Sequence, residues 1–101
     1  MRLSTEQIAC IKSTAHLVWG GNVQVRLFGS RVDDHQRGGD IDLYIEGVDL
    51  SLASQVETKT QFLVKLKRQI GDQRIDVVFA PAYGQAVLPI QRIAQQTGVP
   101  L

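Results

Sequence analysis

Asp40-Ile41-Asp42-Leu43-Tyr44-Ile45 places two carboxylates at alternate positions of a run that is otherwise apolar. On a strand, residues two apart point to one face, so Asp40 and Asp42 can share a single cation. Working outward, Arg74-Ile75-Asp76-Val77-Val78-Phe79 sets a third acid inside a β-branched run, and Val23-Gln24-Val25-Arg26-Leu27-Phe28 alternates with period two before entering Gly29-Ser30. A carboxylate is costly to bury unless something positive pairs with it. If the strands carrying Asp42 and Asp76 are neighbours, three hard oxygen donors meet at a sheet's edge, a donor set suited to Mg²⁺ and, through it, to a phosphate.

The segments between these strands read as helices. Ser4 to Trp19 opens with Ser4 and Gln7 at capping-box spacing and carries Ile8, Ile11, Ala15 and Val18 at helical intervals. Gly20-Gly21-Asn22 stops it. A second helix is predicted from a cap at Ser51 or Ser54 to about Ile70, with Val56, Leu63, Leu66 and Ile70 facing inward, and Gly71-Asp72 ending it. A short third helix runs from about Pro89 to Gln96, opening on proline and closing before Gly98. The order is α-β-turn-β-α-β-α. It predicts an α/β (α+β) domain with a small mixed sheet of three or more strands and helices packed on it. The first two strands, joined by a loop longer than a tight hairpin turn, are expected side by side, with the helical crossover bringing the third next to them.

The bulk properties narrow the function. Residues 1–101 make one domain with room for a single core. With 11 Lys and Arg against 10 Asp and Glu, the net charge of +1 gives no strong electrostatic hold on nucleic acid. A local basic patch remains around Lys59, Lys65, Lys67, Arg68 and Arg74, and a charge run of this kind is usually a solvated helix face. The single cysteine, Cys10, excludes an internal disulfide and a cysteine-based zinc cluster, and its apolar helical setting predicts a buried thiol. No segment reaches the roughly 20 apolar residues needed to span a bilayer, and the polar N-terminus lacks a signal-peptide core. The chain is expected to be cytoplasmic and off the membrane.

Glycine at 29 lets backbone approach a phosphate closely, Ser30 adds a hydroxyl and a backbone N–H near an expected helix start, and Arg31 offers a forked guanidinium. Taken singly, each feature has an ordinary reading. Asp40 reads as a turn residue opening a strand, Asp76 as a partner of Arg74 or a lysine, and Ser30 as a helix cap. The combination is far more specific. His16 reads as a surface residue of the first helix, while His35, in the loop before the carboxylates, is a weaker candidate for touching a substrate. Tyr44 is assigned to packing, pointing away from the acidic pair. Trp19 is assigned to core or interface, and Tyr83 is left undecided at the border of the site.

Gly29-Ser30-Arg31, then Gly39-Asp40-Ile41-Asp42-Leu43-Tyr44-Ile45, then Arg74-Ile75-Asp76-Val77-Val78-Phe79, resembles the signature of the polymerase-β-like nucleotidyltransferases, and most closely their minimal prokaryotic members. The resemblance extends over nearly the whole chain, including the closing helix, and implies that family's fold. It implies that Asp40, Asp42 and Asp76 hold Mg²⁺, two ions in such sites, with Asp76 also serving as or beside the base. It implies that Gly29 and Ser30 bind the nucleotide triphosphate; Arg31 is added to them from its charge and position. ATP as the nucleotide is implied by the family alone. Minimal members commonly pair with a helical HEPN ribonuclease toxin and act as its antitoxin by transferring AMP to a toxin tyrosine. The expected function is therefore protein adenylylation. The alternatives are neutralisation of a partner by docking alone, and nucleotidyl transfer to a small molecule such as an aminoglycoside.

Overall fold

The computed structural model describes residues 3–29 and 40–101. Three helices and four strands follow in the order α1 (Thr5–Trp19), β1 (Gln24–Phe28), β2 (Ile41–Glu46), α2 (Leu52–Ile70), β3 (Ile75–Phe79), α3 (Pro89–Thr97) and β4 (Val99–Pro100). The strands form one mixed sheet in the order β3-β2-β1-β4. β1 pairs antiparallel with both β2 and β4, whereas β2 and β3 run parallel across the α2 crossover. This is the expected class and neighbour order, with one strand added. β4 has two residues, too few for any periodicity to show, and it exists because α3 delivers Val99 and Pro100 to the free edge of β1.

Period-two alternation divides the sheet into two unlike faces. Val25, Leu27, Ile41, Leu43, Ile45, Ile75 and Val77 belong to the main core, with Ile11 and Ala15 of α1 and Phe62 and Leu66 of α2. The opposite face carries a smaller cluster of Phe28, Tyr44 and Ala94, the last from α3. Leu43, Tyr44 and Ile45 are all buried, as befits a strand covered on both sides.

Local chemistry fixes the helix ends. The Ser4 hydroxyl accepts from the Gln7 backbone N–H at 3.0 Å and the Gln7 side chain accepts from the Ser4 N–H at 3.0 Å, the expected reciprocal cap. Ser51, rather than Ser54, caps α2. The α1 and α2 faces are further joined by Gln69 Nε2, which donates to the Oγ1 of buried Thr14 at 2.9 Å.

Two assignments on the helices are corrected. Val56 does not face inward but is 68% exposed, and Phe62 occupies the core. Phe62 and Leu66, one turn apart, centre the buried stripe, and Val56 lies about 120° around the helix from Phe62 at 3.6 residues per turn. Cys10 is half-buried rather than buried, at the margin of the same core. Trp19 is a core residue, its ring 4.7 Å from that of Phe62 and 5.6 Å from that of Phe79.

Candidate functional site

The acidic residues come together because of strand register. β2 and β3 pair in parallel with Ile41 opposite Ile75 and Asp42 opposite Asp76. The Ile41 N–H donates to the Arg74 carbonyl at 3.0 Å, which carries the same register back to Asp40 and Arg74. Asp40 and Asp42 share a face by their spacing, and Asp76 joins them by its partner. All three lie where β2 and β3 begin. Phe28, the last residue of β1, is opposite Asp42, so Gly29 emerges at the same end of the sheet.

Gly29 has φ +77°. That backbone conformation suits glycine, and a Cβ built there would overlap Oδ2 of Asp42. The bend therefore lies directly against a carboxylate. Ser30 and Arg31, assigned to the same phosphate cradle, and His35 fall outside the described residues.

The electrostatics show carboxylates crowded together. Asp42 is pushed up from 3.8 to about 6, first by burial, then by the negative charges of Asp76 and Asp40, and then by a hydrogen bond with the Asp76 side chain. Two crowded carboxylates are a donor set that a hard divalent ion would suit, since it would relieve the repulsion that raises Asp42. Asp40 is turned to another partner. Its Oδ2 lies 3.5 Å from Nε of Arg74, directly across the strand pair. Among the described residues no three Asp, Glu, His or Cys side chains are already gathered as a cation cage. Asp42 and Asp76 supply a pair, and Asp40 stands beside them, held by the guanidinium.

The Arg74 partnership is a site feature that reading each strand alone does not reveal. Its signal was the shared spacing of Asp40–Asp42 and Arg74–Asp76, which puts a charge square on one face once the register is set. Tyr44 is corrected as well. It lies two residues beyond Asp42 and so shares the carboxylate face rather than turning away. Its assignment to packing stands, since it is fully buried, and its hydroxyl accepts from Gln95 Nε2 of α3 at 2.9 Å. Tyr83 is fully exposed.

Gln91 fixes α3 over this face. Its Oε1 accepts from the Leu88 N–H at 2.7 Å, and its Nε2 donates to the Phe79 carbonyl at 2.9 Å. A cavity of about 310 Å³ lined by Lys12, His16, Val25 and Arg26, and another of about 280 Å³ between Leu52, Phe79, Pro81 and Ile90, both lie away from the carboxylates. The acidic ledge is the better functional candidate, because the positive-φ glycine and the perturbed carboxylate are both there.

A scan against protein-family models matches none, and no curated protein matches the sequence. Among the described residues, no helix is long and apolar enough to cross a membrane.

Proposed function

We propose that this protein is a Mg²⁺-dependent nucleotidyltransferase that moves AMP from ATP to a hydroxyl, the acceptor being a tyrosine of a HEPN-type ribonuclease toxin for which it acts as antitoxin. The observation that carries the transfer reading is the parallel register of Asp42 with Asp76, with Asp40 on the same face and Gly29 against Asp42. ATP and the toxin partner rest on the resemblance of the Gly-Ser, Asp-x-Asp and strand-Asp motifs to minimal nucleotidyltransferases.

In this reading Asp40, Asp42 and Asp76 are the residues that would hold the metal. Mg²⁺, when bound, supplies charge neutralisation of the triphosphate and polarisation of the α-phosphorus. Gly29 lets the backbone bend lie against the Asp42 carboxylate, where a Cβ would overlap it. Asp76, the exposed member of the acidic pair, accepts the proton of the incoming hydroxyl. The acceptor oxygen forms its bond to the α-phosphorus as the bond to the β-phosphate's bridging oxygen breaks, and pyrophosphate departs. Orientation of the two reactants on the acidic ledge accounts for much of the acceleration.

The test is incubation with α-labelled ATP, Mg²⁺ and the product of the adjacent gene, repeated with Asp42→Ala. Label that appears on the partner with wild type and disappears with the variant is the expected result. Neutralisation of the partner by unlabelled Asp42→Ala at stoichiometric ratio would replace transfer with docking. Label on an added aminoglycoside instead would move the acceptor to the small-molecule class.

A further inference from the structure

Of the four charged side chains described on the acidic ledge, Arg74 has no role in the reading above. It stands directly across from Asp40 and two residues before Asp76, so it shares their face. Its Nε lies 3.5 Å from Asp40 Oδ2, the pair is solvated, and the Arg74 side chain is 81% exposed. Such a contact is weak and exchangeable. Asp40 lies beside the guanidinium, whereas Asp42 stands opposite Asp76 in the strand register.

We propose that Arg74 is a positioning residue that competes with the divalent ion for Asp40, so that the third carboxylate joins Asp42 and Asp76 only when the ion displaces the guanidinium. This rests on the assignment of the three acids as metal ligands. The argument is one of charge and reach. A guanidinium neutralises one carboxylate but cannot bridge three oxygens around a point, whereas a hard divalent ion takes six or more oxygen ligands and gathers them. The arginine therefore holds the empty site in a form that is less repulsive and less ready to bind metal. Once displaced, its long and exposed side chain is free in solvent.

The experiment is direct titration of the nucleotide-free protein with Mn²⁺, following free Mn²⁺ by electron paramagnetic resonance. Arg74→Gln is expected to bind Mn²⁺ roughly two- to ten-fold more tightly than wild type, from loss of one nearby positive charge in a solvated setting. Arg74→Lys should stay near wild type. The gain from Arg74→Gln should shrink when Asp40→Asn is also present, because the competition acts through that carboxylate. Unchanged or weaker Mn²⁺ binding by Arg74→Gln, with wild type binding and Asp42→Asn not, would overturn the role of Arg74 alone. Failure of wild type itself to bind Mn²⁺ would overturn the metal assignment together with this inference. Circular dichroism of each variant verifies that the exposed substitution leaves the fold in place.

Discussion

Asp42 is the residue on which the site's electrostatics turn. Its carboxyl titrates near 6 in the folded chain against an ordinary value of 3.8. The folded state therefore holds a proton that the unfolded chain releases, and in metal-free buffer the stability contributed by this group falls as pH rises from 3.8 to about 6. Above that window the loss is complete. Asp42→Asn should flatten this dependence and stabilise the protein at neutral pH by about 1 kcal/mol, a value already reduced for solvent screening. Urea unfolding at pH 4 and pH 7.5 checks it, and an unchanged slope between the two would contradict the assigned crowding. Saturating Mg²⁺ should reverse the order, raising the melting temperature of wild type but not of Asp42→Asn, because an ion that binds only the folded state stabilises it. Gly29→Ala places a Cβ against Asp42 Oδ2 at φ +77°. It should cost about 1–2 kcal/mol from backbone strain alone, and weaken Mn²⁺ binding in the titration described above.

At the scale of elements, α3 depends on one polar side chain. Gln91 joins the helix start to the end of β3 through two hydrogen bonds. Gln91→Leu should cost about 1–3 kcal/mol by leaving buried polar groups unmet. Hydrogen exchange should then quicken in α3 and β4 while α1 and α2 stay protected. On the other face, Phe62→Ala should cost about 3–5 kcal/mol, measured by denaturant midpoint, since the ring lies between both large helices and the sheet. These elements also show what a sequence can convey. α1 was legible because its signals are local: a cap at Ser4 answered by Gln7, and glycines at its end. On α2 the inward positions of Leu63, Leu66 and Ile70 were legible, but Val56 was not separable from Phe62, because both are apolar and only the sheet beneath selects the side that is buried. β4 was invisible, since two residues become a strand only where an edge receives them. Tyr44 shares the carboxylate face by the same two-residue spacing that unites Asp40 and Asp42.

For the whole molecule, the sheet order β3-β2-β1-β4 gathers the end of β1 with the beginnings of β2 and β3. Three stretches spread over some fifty residues thereby meet at one end of one face, and the expected convergence of Asp42 with Asp76 follows from β2 and β3 pairing in parallel. The acidic ledge was legible to this extent because side-chain alternation and right-handed crossover leave few other arrangements. The hold of Arg74 on Asp40 was not, because it depends on the register between two strands rather than on either alone. Asp40→Ala and Asp42→Ala should both abolish Mg²⁺-dependent transfer while far-ultraviolet circular dichroism stays native. Retained transfer in either would remove that residue from the metal set.

Trp19 is the sole indole in the chain, and it rests against Phe62 of α2 and Phe79 of β3 on the side of the sheet remote from the carboxylates. Its emission therefore reports, without labelling, whether both long helices are seated. A divalent-ion titration that leaves this fluorescence unmoved, while free Mn²⁺ falls, would separate ligation on one side from any loosening on the other within a single cuvette.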